Sequence, residues 1–174
     1  QETPRFGGLV KAPLGQNSIY GLVYDISIVD DGLVRQLVTA PRVDPTVIAD
    51  NRTNRTVPLE ISVLAVGYGQ GGTISHLLPP RAPLSLELIE ECPSEEIAAF
   101  TGAGFGYLRH LLRDSDLPVS ELVAAHVQQA AAAHQAAGNA GWAQSAVQEL
   151  MTLLRDDYAV LMEVLGALGE IADF

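Results

Sequence analysis

The proline-rich segment PPRAP at residues 79–83 separates two parts of the chain that have different hydrophobic periods. Before this segment, apolar residues recur at every second position, as they do in β-strands. Beyond it they recur about every 3.6 residues, as they do in α-helices. Proline cannot donate to a central strand ladder and restrains the residue before it, so the strand region should end here. The sequence therefore predicts an α+β protein.

The first part of the chain carries the signals of about five strands. One face of the segment Ile19–Ile28 is strongly apolar and carries Tyr20, Leu22, Tyr24, Ile26 and Ile28. Asp30-Asp31-Gly32 then supplies turn chemistry, which makes residues 19–39 a candidate hairpin. The segment 57–68 becomes apolar on both faces, as in a central strand. Because no helical crossovers separate these strands, residues 1–92 are expected to form a small antiparallel β-barrel.

Four glycines follow the central strand and raise the question of a phosphate-binding loop; they are Gly67, Gly69, Gly71 and Gly72. A Walker A loop requires a lysine, and Lys11 is the only lysine of the chain. A dinucleotide-binding loop would open a helix, whereas the residues after Gly72 have the pattern of a strand. The glycines are therefore predicted to form a tight connection between two strands.

Residues 93–174 are predicted to be an acidic α-helical region. One or two short helices with a glycine-rich break in the middle are expected first. Pro118 should then open a longer alanine-rich helix, which Gly138 ends. A last helix of roughly 45 Å is expected over residues 142–172. The last two helices are predicted to form a long antiparallel hairpin, since alanine side chains permit close approach.

A heptad seam follows the last predicted helix and is interrupted at Asp157. Its residues are spaced by seven and are Val147, Leu154, Leu161 and Leu168. Such a seam either packs inside the hairpin or contacts another molecule. These four residues are the candidate interaction surface, through which the chain would bind a protein partner or a second copy of itself.

The net charge of -11 argues against a nucleic-acid-binding surface, because phosphate contact depends on Lys and Arg. Residues 93–174 hold most of this charge, with 3 basic and 11 acidic side chains. Direct nucleic-acid binding is therefore not expected. The alternative of a single-strand-binding barrel would use Tyr20, Tyr24 and Tyr68 to stack on bases.

No residue pattern indicates a catalytic centre, a cofactor or a metal site, so the protein is expected not to be an enzyme. The histidines, His76, His110, His126 and His134, lack metal-ligand spacing. Cys92 is the single cysteine, which favours a packing role and a reducing compartment. The alternative of a metal-dependent nuclease or hydrolase would use the carboxylates of Asp25, Asp30, Asp31 and Glu60.

Targeting signals are also missing from the pattern. The chain contains no apolar run of about 18 residues and no basic-then-apolar leader, so a cytoplasmic protein without membrane contact is expected. The sequence begins at Gln1 without an initiator Met, which suggests that residues precede it.

Several segments together resemble stand-alone HAS-barrel proteins, which share the β-barrel of HerA-type DNA translocases and ATP synthase subunits. They are FGGLVKA (6–12), IYGLVYDI (19–26), VRQLV (34–38), VPLEISVLAVGY (57–68) and HLLPPRAPLSL (76–86). The resemblance spans roughly residues 5–112 and implies one further strand before Phe6.

In the translocases this barrel helps to assemble the ring and contacts partners such as the NurA nuclease. The ATPase core that follows the barrel in those proteins is replaced here by helices, so the resemblance transfers no catalytic residue. It implies a non-enzymatic assembly or adaptor module, of bacterial type, that binds a HerA-type ATPase or its nuclease in DNA processing and repair.

Overall fold

The protein is described by a computed structural model over residues 4–28, 59–82, 88–113 and 116–171. Its strands in these residues are β1 (Leu9–Leu14), β2 (Asn17–Ile28), β3 (Leu59–Gln70), β4 (Thr73–Ser75) and β5 (Glu90–Glu91). Its helices are α1 (Ser94–Gly102), α2 (Leu108–Leu112), α3 (Val119–Ala136), α4 (Trp142–Leu153) and α5 (Tyr158–Ile171). This order, strands first and helices after, confirms the predicted α+β class.

The strands form one antiparallel sheet in the order β4-β3-β2-β1-β5. The turn between β3 and β4 consists of Gly71 and Gly72, with φ of 57° and 82°. Positive φ at both central residues is the requirement of the two-residue turn that matches the twist of a hairpin. The predicted connection between two strands is therefore confirmed for Gly71 and Gly72, whereas Gly67 and Gly69 lie within β3.

The predicted closed barrel is not shown, because the sheet of the described residues is open and has β4 and β5 at its ends. These strands contain only 3 and 2 residues, which leaves little backbone to pair with a further strand. An alternating pattern reports that one face of a strand is buried, whether a barrel interior or a helix covers that face. Here helices cover it. The second strand of the candidate hairpin at residues 19–39 lies outside the described residues.

The chain divides into two compact units, Gln1–Tyr24 with Val63–Phe174, and Asp25–Ser62. In the first unit, sheet and helices share one hydrophobic core, which includes Leu9, Leu22 and Val66 from strands and Leu122 and Leu150 from helices. The predicted boundary after Cys92 marks the change from strand to helix, and this core extends across it.

The last predicted helix is interrupted and forms the two helices α4 and α5. The chain leaves the helix at Leu154, and α5 begins after Asp157. The Asp157 carboxylate accepts a hydrogen bond from the Val160 backbone N–H at 3.2 Å, as an N-cap residue does. The prediction of one helix over residues 142–172 is therefore wrong. The interruption that was noted in the heptad seam at Asp157 does lie within this break. A hairpin of two long helices is accordingly not confirmed.

None of the helices within the described ranges combines the length and the apolar character that a membrane span requires.

Candidate interaction surface

Helix α3 lies at the centre of the helical layer. Its buried face includes Ala124, Ala130 and Ala133, whose small side chains let neighbouring helices approach closely. Helices α1, α2, α4 and α5 all pack against α3. Helices α4 and α5 each pack more closely on α3 than on each other, which leaves a crease between them.

This crease forms an open groove of about 320 Å³, which we call the α4/α5 groove. Its lining residues are predominantly apolar and are Ala140, Ala143, Gln144, Val147, Leu165, Leu168 and Gly169. The groove brings the first turn of α4 beside the last turn of α5, so the two helices run in opposite directions along it.

The four residues of the predicted interaction surface have two kinds of environment. Val147 and Leu168 line the α4/α5 groove. Leu154 and Leu168 are buried, at 5% and 4% exposure, and belong to the core, and Leu161 is half-buried against it. The seam therefore contributes to packing along its length and reaches an open surface at the groove.

Sequence reasoning missed three exposed apolar residues on α4 and α5. Met151 lies four residues after Val147 on α4, and Tyr158 and Met162 lie seven and three residues before Leu165 on α5. At helical spacing these positions share the groove-facing sides of their helices. Their exposures are 49% for Met151, 71% for Tyr158 and 49% for Met162. The missed signal was an apolar stripe beside the heptad seam.

A buried hydrogen-bond network fixes α3 against the segment before β1. The His126 Nδ1 donates to the Gly7 carbonyl at 3.1 Å, because a carbonyl can only accept. The His126 Nε2 is then the acceptor for the Tyr107 hydroxyl, at 3.0 Å. Burial lowers the pKa of His126 to about 4, so the ring is neutral near pH 7.

A second network fixes the start of α4, and with it one end of the groove. The Thr101 hydroxyl donates to the Ile97 carbonyl at 2.7 Å and accepts from His134 Nε2 at 2.8 Å. The Trp142 ring stacks on the His134 ring with centroids 4.6 Å apart, and its Nε1 donates to the Thr101 carbonyl at 3.3 Å. This network joins α1, α3 and α4.

The other two histidines also have structural partners. His76 Nε2 donates to the Phe100 carbonyl at 3.0 Å, and His110 Nε2 donates to the His76 carbonyl at 2.8 Å. Burial lowers the pKa of His76. In the part of the chain that the structure describes, no three His, Cys, Asp or Glu side chains come together as a metal site.

The Glu96 carboxylate joins α1 to the sheet and engages one of the candidate stacking tyrosines. It accepts from Lys11 Nζ at 2.7 Å and from the Tyr20 hydroxyl at 2.9 Å. The Tyr20 ring is 7% exposed and packs on Phe100 with centroids 4.8 Å apart. Burial raises the pKa of Tyr20. A base cannot stack on Tyr20 without displacing this packing.

The remaining candidate residues are placed as follows. Tyr24 and Tyr68 are half-buried, and Asp25 and Glu60 are exposed in the compact unit Asp25–Ser62. Asp30 and Asp31 lie outside the described residues.

The Cys92 thiol is 4% exposed and lies in the core. Burial raises its pKa to about 12, so the thiolate that a nucleophile requires is scarce near pH 7. Its environment favours the packing role.

No protein-family model, curated protein or solved structure gave a significant match to the chain.

Proposed function

We propose that this chain is a non-enzymatic adaptor or assembly module that binds a HerA-type DNA translocase ATPase, or its NurA-type nuclease partner, in bacterial DNA processing. The observation that carries the adaptor role is the open, largely apolar α4/α5 groove, together with exposed Met151, Tyr158 and Met162, which helical spacing places on the same sides of its helices. Contiguous exposed apolar surface is characteristic of protein contact sites. The choice of partner rests on the sequence resemblance.

The placement of the resembling segments supports this choice. The segment 6–12 contains most of β1, 19–26 lies within β2, and 57–68 contains most of β3. These segments are therefore neighbours in one antiparallel sheet, as the resemblance requires. The same proposal includes a closed barrel and a cytoplasmic location for the protein.

Co-purification tests the proposed function. The tagged chain is mixed with the ATPase and, separately, with the nuclease from the same organism, and each mixture is analysed by size-exclusion chromatography with light scattering. We expect a stable complex with at least one of them at micromolar concentration. If neither the ATPase nor the nuclease forms a complex with the chain, the proposal is contradicted.

A further inference from the structure

We propose that the α4/α5 groove binds a basic amphipathic helix of the partner protein. This inference rests on the proposed function, since it specifies the segment that the adaptor would recognise. It is carried by the shape of the groove, by the residue types along it and by the charge of the two helices that form it.

The two helices that form the groove are long enough to hold a third helix. Helices α4 and α5 contain 12 and 14 residues, which corresponds to lengths of about 18 and 21 Å. They run in opposite directions and both pack on α3, so a further helix in the groove would contact two existing helices along three to four turns. Such a helix would cover the exposed side chains of Met151, Tyr158 and Met162.

The residue types along the groove suit a helix more than they suit solvent. Both methionines of the chain, Met151 and Met162, lie on these faces, and methionine is common at surfaces that adapt to a partner. Gly166 and Gly169 are within α5, where glycine is less favourable than alanine. A Cβ on either glycine would meet no atom of a neighbouring element within 4 Å. Internal packing therefore does not require these glycines, and at Gly169, which lines the groove, the missing side chain leaves room for a partner backbone.

The charge of the two helices selects the partner. Residues 142–171 contain five acidic side chains and one basic side chain, Arg155. Arg155 already pairs with Asp156, its Nε lying 3.3 Å from the carboxylate. Glu163 and Glu170 are exposed but lie roughly 100° or more around α5 from the groove residues Leu165 and Gly169, so they contribute to the charge of the helix and do not line the groove. One basic against five acidic side chains gives these helices a net charge of -4, which favours a partner helix that carries lysines or arginines, whereas a second copy of the chain, with a net charge of -11, would be repelled.

A set of designed peptides tests the inference. The first has 18 residues, with leucines at i, i+3, i+4 and i+7 spacing and lysines elsewhere. The second replaces the lysines with glutamates, and the third scrambles the first. Binding to the complete chain is measured by fluorescence anisotropy at roughly 0.1 M salt. We expect the first peptide to bind at least tenfold more tightly than the other two. Equal binding of the first and third peptides, or no binding of the first, would overturn the inference.

Two variants locate the binding site. Met151→Glu combined with Met162→Glu should weaken binding of the lysine peptide at least tenfold, although the added carboxylates attract that peptide. The control is Leu88→Glu, which adds a carboxylate at a side chain that is 75% exposed and remote from the groove in the sequence. It should leave the affinity unchanged. Unchanged affinity in the double variant would place the peptide elsewhere and overturn the inference.

Gly169→Leu fills the groove without removing a core contact. Leucine is also a better helix former than glycine, so the variant should unfold no more easily than the native chain and yet bind the lysine peptide at least tenfold more weakly. Thr152→Leu, which adds an apolar group at an exposed position of α4 that does not line the groove, is the control and should bind normally. Normal binding by Gly169→Leu would overturn the inference.

Two further measurements separate the possible occupants and the two proposals. If the native chain is a dimer that Gly169→Leu converts to a monomer, a second copy occupies the groove and the inference is wrong. If the ATPase or nuclease binds equally to the chain and to the methionine double variant, the proposed function holds and the groove inference fails. If the lysine peptide binds in the groove but neither protein binds, the groove inference holds and the proposed partner is wrong.

Discussion

The neutral state of His126 predicts a specific loss of stability in acid. Its two ring nitrogens are satisfied by the Gly7 carbonyl and the Tyr107 hydroxyl only when the ring is neutral, because a protonated Nε2 cannot accept. The side chain is 1% exposed, so water cannot solvate the imidazolium either. Burial accordingly lowers the pKa of His126 to about 4, whereas an unfolded histidine titrates near 6.5.

The direction and size of the change in stability follow from this difference in pKa. The folded state binds the proton less tightly than the unfolded state, so the stabilising effect is complete above about pH 6.5 and is lost as the pH falls toward 4. Integration of the two titrations gives a loss of about 2.5 kcal/mol between pH 7.5 and pH 4.5.

Urea unfolding of the chain and of His126→Asn at both pH values measures this loss. Asparagine keeps an N–H that can donate to the Gly7 carbonyl but has no proton to gain. We expect the variant to be less stable at pH 7.5, because the Tyr107 hydroxyl loses its acceptor, and to lose about 2.5 kcal/mol less than the native chain on acidification. For each protein, the stability at pH 4.5 is compared with the stability of the same protein at pH 7.5. The destabilisation that the substitution causes at both pH values therefore cancels. The same acid loss in both proteins would refute the reasoning.

Three other predictions concern single residues. Gly7→Ala should destabilise the fold by about 2–5 kcal/mol in urea unfolding, because φ is 73° and a Cβ would lie 2.8 Å from the Ala125 Cβ. Gly15→Ala, with φ of 63° and open space around the Cβ, should cost only about 1 kcal/mol, and equal costs would contradict the close-approach argument. Asp157→Ala should cost about 1 kcal/mol through loss of the N-cap of α5, and Asp156→Ala much less; a larger effect of Asp156→Ala in thermal unfolding would show that the cap is misassigned. Cys92 should react with iodoacetamide at pH 8 roughly a hundredfold or more slowly in the native chain than in urea, and comparable rates would contradict its burial.

Local signals in the sequence predicted local structure well. The change of period near residues 79–83 marked the transition from strands to helices, although the short strand β5 still follows it, and the glycines at 71 and 72 were correctly placed in a hairpin turn. Both signals depend on residues that are close in sequence, where propensity and backbone sterics act directly.

Features that depend on which elements meet in space could not be predicted. Alternation in β2 and β3 indicated a buried face but did not indicate that helices cover the sheet. The heptad spacing continued across Leu154–Asp157, although α4 ends at Leu153 and Asp157 caps the start of α5. A period alone does not distinguish a cap from an interior position.

The candidate surface was predicted in part for the same reason. Val147 and Leu168 were selected by their spacing and do line the groove. The groove itself exists because α4 and α5 both pack on α3, and this tertiary packing leaves no local sequence signal. The histidines gave no sequence signal for their partners, since His126 and Gly7 are 119 positions apart.

That separation has a consequence for synthesis on the ribosome. The strand residues Leu9 and Leu22 leave the ribosome long before α3, whose side chains complete their core. At translation rates of roughly 5–20 residues per second, the separation of 119 positions between Gly7 and His126 corresponds to a delay of roughly 6–24 seconds. Until α3 is synthesised, the apolar strand residues lack the helix side chains that cover them in the folded protein, and exposed apolar surface makes folding intermediates prone to aggregation. The helices that cover the sheet are therefore synthesised after its strands, and a ribosome stalled before α3 would display a nascent chain prone to aggregation.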